Sequence, residues 1–232
     1  MDPIVSSSVL GPMKSYFGSK AASGLCQNII AMMPPHHTYI ESHLGGGAIM
    51  ERKPAAVKNI GVDLDPQALS RFSCDYPVQL VQESAHVFLR DYDYSDSVLV
   101  YADPPYLTRT SSRKYRFDYS QADHIELLSL LRSLPCQVIL SGYPTALYDE
   151  ELKGWNSLEL QAMCRGGVRT EKLWFNYTPD RLHWARYAGR NFTDRQRIKR
   201  KAESWGRRYR ALPSTERLAV LATMMAVEAE DE

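Results

Sequence analysis

Short apolar runs alternate along the first three quarters of the chain with segments whose apolar residues recur every three or four positions. A run of four to six apolar residues bounded by turn residues reads as a buried strand, and the three-to-four spacing as an amphipathic helix. On this reading strands are expected over 38–41, 59–62, 78–81, 97–102 and 136–141. Helices are expected between them. Ser19 is placed to cap one that carries Leu25, Ile29 and Met32 on one face to about residue 33, where Pro34-Pro35 ends it. Others start at Ala48 and cover 85–89 and 123–133, the last with Ile125, Leu128 and Leu131 on one face. Strand and helix in alternation define an α/β chain with a parallel sheet. Two later runs, 159–163 and 173–177, suit a closing antiparallel pair.

From Arg181 the pattern changes. Thr193-Asp194-Arg195-Gln196 has the form of a capping box. Ile198, Ala202, Trp205 and Tyr209 then share one helical face, and arginine and lysine fill the others. Leu212-Pro213 breaks this helix, a second covers about 215–227, and the chain closes on acidic residues. The expected organisation is a flexible lead-in over 1–13, a catalytic domain over 14–180 and a helical extension over 181–232.

Composition narrows the class without choosing a partner. The 232 residues are 44% hydrophobic and 24% charged, with a net charge of +1, so overall charge selects no ligand. Cys26, Cys74, Cys136 and Cys164 form no CxxC pair, and the histidines make no metal-binding pattern; no metal is expected. His36-His37 follows the Pro-Pro turn and is expected in solvent. No apolar stretch approaches the roughly 18 residues of a membrane span, and no basic-then-apolar leader is visible, so a cytoplasmic location is expected.

The candidate chemistry centres on Asp103-Pro104-Pro105-Tyr106, which follows the most apolar strand. Two prolines cannot continue a hydrogen-bond ladder, so an acid and a tyrosine are held on a stiff corner at the strand's C-terminal edge. Ligands of open α/β sheets bind at that edge. Such a corner suits methyl transfer to the exocyclic amine of a nucleobase, a poor nucleophile because its lone pair is delocalised into the ring. The Asp103 carboxylate and the Pro104 carbonyl can accept its two N–H hydrogens and localise that lone pair, while Tyr106 stacks on the base. An acid and two prolines in an ordinary loop would leave the same four letters.

Other stretches support a ligand at the same edge. Ser42-His43-Leu44-Gly45-Gly46-Gly47 joins a strand to a helix without the spacing of a phosphate loop. With Glu41 before it, it suits a zwitterionic adenosine compound, through Gly45 and Gly47, or is a tight turn only. Asp63 and Asp65 compete for a ribose hydroxyl pair at the end of the second strand, and Asp65, before Pro66, is equally a helix cap. Lys14 to Lys20 offers Tyr16 and Lys20 beside a glycine, to stack on an adenine and grip a carboxylate, or is a plain helix start. The loop after the corner carries Arg109, Arg113, Lys114 and Arg116 among aromatic and hydroxyl residues, and the late helix carries Arg197, Lys199, Arg200 and Lys201. Both suit phosphate contacts, although charge runs are often solvated faces.

Taken together and in order, Tyr16-Phe17-Gly18-Ser19-Lys20, Tyr39 to Gly47, Val62-Asp63-Leu64-Asp65 and Asp103-Pro104-Pro105-Tyr106 resemble the Dam-type DNA adenine methyltransferases. Residues 115–119, Asp123-His124, 138–143 and 169–177 extend the likeness, which spans about 14–177. The resemblance implies a Rossmann-like methyltransferase sheet with a reversed C-terminal hairpin, S-adenosylmethionine as donor and adenine N6 in DNA as acceptor. It implies donor contacts from Tyr16, Lys20, Asp63 and Asp103, and a flipped adenine held by Asp103 to Tyr106. Three features depart from the family: Ser42-His43 replaces Pro-Phe after the acid, Ser84-Ala85 replaces an acid and an aromatic, and the stretch between Asp65 and Asp103 is too short for a target-recognition insertion. The expected activity is therefore adenine methylation at a short or relaxed DNA target. RNA adenine, cytosine N4 in DNA, and an inactive nucleic-acid-binding relative are the alternatives.

Overall fold

The computed structural model describes residues 25–107, 117–164, 167–178 and 191–230. Its centre is a seven-stranded sheet in the order β3-β2-β1-β4-β5-β7-β6. The strands are β1 (Thr38–Glu41), β2 (Lys58–Asp63), β3 (Gln79–Gln82), β4 (Val98–Ala102), β5 (Gln137–Gly142), β6 (Asn156–Cys164) and β7 (Gly167–Phe175). β1 to β5 pair in parallel; β7 runs antiparallel to both β5 and β6. This is the Rossmann-like α/β sheet with a reversed hairpin that the sequence led us to expect.

β4 lies in the middle because every one of its residues is apolar and buried. Successive side chains of a strand point to opposite faces, so a strand covered on both sides must be apolar throughout. Leu99 and Tyr101 join Tyr39, Ile139, Leu173 and Phe175 in one core, closed by α1 (Leu25–Ala31) and α2 (Ala48–Arg52). Val98, Val100 and Ala102 join Ile40, Ile60 and Val62 in the other, closed by α4 (Ala85–Asp91), α5 (Gln121–Ser133) and α6 (Ala146–Glu151). The doubly covered sheet thus presents its strand ends, not its faces, to a ligand. α3 (Pro66–Arg71) joins β2 to the edge strand β3.

Four local expectations change. α5 starts earlier, on a capping box in which Ser120 and Asp123 bond reciprocally, and its buried face is His124, Leu127, Leu128 and Leu131. Ile125, expected on that face, is 40% exposed, because the polar His124 takes the inward position. The hairpin is longer than expected, β6 and β7 each running nine residues. α6, not anticipated, follows Pro144 on a Thr145 cap that accepts from the Tyr148 N–H. His36, expected in solvent, is half-buried with Nδ1 at 2.7 Å from the Pro34 carbonyl, and burial pushes its pKa down to about 4.

Two helices follow the hairpin, α7 (Phe192–Ala211) and α8 (Ser214–Glu230). The cap of α7 is Asn191, which accepts from the Asp194 N–H at 3.0 Å, not Thr193. No residue of α7 is buried, so its apolar positions do not seat it on the core; Trp205 is 51% exposed under the Arg208 guanidinium. Among the described residues no helix is long and apolar enough to cross a membrane.

Candidate active site

The parallel strands β1, β2, β4 and β5 end on one edge, where Glu41, the glycine turn, Asp63 and the Asp103 corner lie. Asp103 follows the last residue of β4. Its carboxylate accepts a 2.9 Å hydrogen bond from the Ser141 hydroxyl at the end of β5. Ser141 Oγ lies 2.9 Å from the Tyr101 hydroxyl. The single Ser141 proton is directed to the carboxylate, so Tyr101 must be the donor in the second bond. Tyr101 and Ser141 are fully buried, and this directed chain holds Asp103 Oδ1 from the core side. Neither partner was visible in the sequence pattern, since Ser141 reaches Asp103 only through the pairing of β4 with β5.

Tyr106, three residues on, donates its hydroxyl to both oxygens of Glu171 at 3.0 and 3.3 Å. Its ring stacks on Tyr143, with centroids 4.1 Å apart and planes at 23°. Glu171 is a buried carboxylate on β7, and Tyr143 follows the end of β5.

The glycine turn folds back over β2. Gly45 and Gly47 have positive φ of 50° and 62°, which side-chain-bearing residues rarely adopt. A Cβ on Gly47 would also lie 2.3 Å from the Phe72 ring. The Gly45 N–H donates to Asp63 at 2.7 Å, and the Asp65 N–H donates to the other Asp63 oxygen at 2.8 Å. Burial raises the pKa of Asp63, and these two bonds act against the rise. Asp65 caps α3, accepting from the Gln67 N–H at 2.9 Å. The two acids that compete in sequence therefore differ in place: one braces a helix, the other sits inside the turn.

Glu41, at the end of β1, is buried and accepts from the Tyr39 hydroxyl at 3.1 Å. Burial pushes its pKa up to about 8; the Tyr39 bond opposes this, and the nearby Asp103 charge adds to it. Lys53 lies over the Tyr39 ring, 4.3 Å from its centroid, donating to Asn59 at 2.7 Å, and burial lowers its pKa to about 8. A folded glutamate that titrates near 8 holds a proton that the unfolded one releases near 4.5, so its stabilisation falls as pH rises toward 8. Buried His36, His43 and His124 act in the opposite sense until their unfolded imidazoles have lost their protons, about one unit above 6.5, and Lys53 does so as pH reaches 8 and beyond. Between pH 6.5 and 8 these groups largely offset Glu41, so the effect is read as a difference: the stability of the ligand-free wild type relative to Glu41→Gln is expected to fall by about 1.5 kcal/mol. Urea titrations of both proteins across that interval check it; a difference that stays constant or moves in the wild type's favour contradicts the assignment.

Beside the turn, Tyr119 gathers three histidines. His43 Nε2 lies 3.0 Å from the Tyr119 hydroxyl and His86 Nδ1 3.4 Å, and His124 meets the ring edge-on. Burial holds His43 down to about 3 and His124 to about 4, so both are neutral. His124 Nδ1 is 2.8 Å from the Tyr148 hydroxyl, and its buried Nε2 has no hydrogen-bond partner among the described residues. No pattern within one segment signals this wall, because His43, His86, Tyr119 and His124 come from separate parts of the chain.

Tyr16, Lys20, Arg109, Arg113, Lys114 and Arg116 are outside the described residues. Arg197, Lys199, Arg200 and Lys201 are on α7. Arg197 pairs with Asp194 at 2.7 Å and Lys199 with Glu203 at 3.8 Å, while Arg200 and Lys201 are exposed.

No family model matches the sequence, and no curated protein matches it. Solved structures with a similar chain path include a SAM-dependent methyltransferase from Agrobacterium tumefaciens, at 15% identity and a TM-score of 0.40 over 67% of this chain and 60% of that one. TrmN from Thermus thermophilus matches at 17% identity and 0.44, over 66% of this chain and 47% of that one. The 23S rRNA methyltransferase ErmE matches at 11% and 0.43, over 66% and 68%. The chain therefore spans about 60% of the Agrobacterium protein and about half of TrmN.

Proposed function

We propose that the protein is an S-adenosylmethionine-dependent methyltransferase acting on the exocyclic N6 of adenine in DNA, with the base turned out of the helix. The observation that carries this reading is Asp103, held by the Ser141–Tyr101 chain on a proline-stiffened corner, with an aromatic ring three residues away. The residues of the edge fit a cationic adenosine donor: the acidic side chains of Glu41, Asp63 and Asp103 end adjacent or next-adjacent strands, and the positive-φ glycines let the turn fold back beside them. When bound, S-adenosylmethionine supplies an electrophilic methyl group.

The chain's own work is on the acceptor. Asp103 and the Pro104 carbonyl accept the two N–H hydrogens of the amine. That withdraws its lone pair from the ring and orients it, and because both acceptors are fixed beforehand little reorganisation is needed. Tyr106 replaces the stacking that a base loses on leaving the duplex. Asp63, already organising the turn, is the ribose acceptor in this account, with Glu41, Gly45 and Gly47 beside it. Tyr16 and Lys20 complete the donor site, and residues 14–180 form the catalytic domain.

The basic residues give affinity rather than sequence. Phosphate contacts carry no base information and weaken steeply with salt. With no room for a recognition insertion, the target is short or relaxed, with Arg109, Arg113, Lys114 and Arg116 beside the flipped base and α7 on the backbone. Neutralising Arg197, Lys199, Arg200 and Lys201 together is expected to weaken binding to all DNA sequences alike and to flatten the salt dependence. Mapping methylated adenines across a long natural DNA tests the target. Scattered sites sharing at most a few bases are expected; one strict site of four or more base pairs overturns the relaxed target.

A further inference from the structure

We infer that Tyr143 and Glu171 are positioning residues that hold Tyr106 as a prebuilt stacking platform, so that an incoming base lies on the face of Tyr106 opposite Tyr143. The inference rests on the proposed reading of the corner. A phenol on a loop turns freely about two side-chain bonds, and a ring that must find its orientation during each turnover pays for that ordering each time. Here both freedoms are removed in advance. Glu171 takes the hydroxyl with both carboxylate oxygens, which fixes the far end of the ring. Tyr143 lies nearly parallel on one face, which fixes its plane.

The stack also decides which face a base uses. Rings in contact are separated by about 3.5 Å. A base between the two tyrosines would need their planes about twice that far apart, against centroids at 4.1 Å. Opening the gap would require Tyr106 to leave Glu171 or Tyr143 to leave its place one residue past Gly142, where β5 is still paired with Lys172 of β7. The strand pairing that brings Gly142 opposite Lys172 also brings Glu171 and Tyr143 together, so platform and support are built by one register. Tyr143 thus backs Tyr106, and the base adds a third ring.

Truncation of Tyr143 tests this, because the alternative, a ring that merely occupies the base's place, predicts the opposite sign. Binding of single-stranded oligo-deoxyadenylate by the full chain, measured by calorimetry, reads stacking without catalysis; methyl transfer to a long natural DNA reads the same ring during turnover. Tyr143→Ala is expected to weaken oligo-deoxyadenylate binding and to lower kcat/KM for DNA, each by about 10-fold, the scale of losing part of one stacking contact. Tyr143→Phe, which keeps the ring, is expected to stay within about twofold of wild type in both, and donor affinity is expected to be unchanged by either. Tighter or unchanged binding by Tyr143→Ala overturns the platform, as does a Phe variant as weak as the Ala variant. A wild type that binds the oligonucleotide in this pattern yet transfers no methyl group overturns the enzymatic reading alone.

Discussion

Replacing Asp103 by alanine is expected to lower methyl transfer by at least about 100-fold, the scale of losing one positioned electrostatic partner. The carboxylate is the only side-chain acceptor on the corner in this account, and the Pro104 carbonyl alone cannot take both amine hydrogens. The fold is expected to survive. Asp103 lies one residue beyond β4, and its loss leaves Ser141 with the Tyr101 bond; the lost Ser141 bond costs about 1 kcal/mol. Asp103→Asn separates geometry from charge. Its oxygen can still accept from Ser141, but its amide N–H groups then face the amine with donors, so this variant is expected to be as inactive as alanine. Single-turnover transfer with saturating donor and DNA, beside a thermal melt, makes the comparison. Near-normal turnover by a folded Asp103→Ala protein removes Asp103 from the chemistry.

The second large effect is expected at Asp63. Asp63→Ala removes the acceptor of the Gly45 and Asp65 N–H groups and, with it, the group assigned to the donor ribose. A hydrogen bond to a charged group is worth about 1.5–3 kcal/mol, so losing the one assigned to the ribose is expected to lower donor affinity by about 10- to 100-fold, while DNA affinity, read separately by calorimetry, changes little. Asp63→Asn retains one acceptor oxygen and presents N–H to the other partner, and is expected to fall between the two. Loss of DNA affinity alone would give Asp63 a different task.

Much of the edge was legible because its parts carry local signals. β4 is buried on both faces, so its five residues must all be apolar, and the prolines after it can belong only to a turn. Two glycines at positive φ and an acid at the end of β2 are likewise local signals. What escaped depends on pairing between distant strands. Ser141 meets Asp103 across β4 and β5, and Glu171 meets Tyr106 through the reversed β7, contacts that no periodicity within one segment encodes. α5 was turned by about one position because a buried polar residue, His124, bonded to Tyr148, stands where a pattern of apolar letters expects solvent. The hairpin exceeds the expected runs because it alternates polar and apolar residues at the sheet's edge, as in Glu159 and Gln161, and only its most apolar part resembles a strand. The apolar letters of α7 fit an amphipathic helix, yet the helix buries none of them, since helical periodicity says which residues share a face and not whether a neighbour covers it.

The central claim is that the Asp103 corner directs a methyl group to adenine N6 in DNA. The most direct measurement gives the full chain methyl-labelled S-adenosylmethionine with duplex DNA, with folded RNA and with neither, then digests each product to nucleosides. The account predicts label in N6-methyldeoxyadenosine from the DNA reaction, and its loss in Asp103→Ala. Label in N4-methyldeoxycytidine, in an RNA nucleoside alone, or in no nucleoside would contradict it.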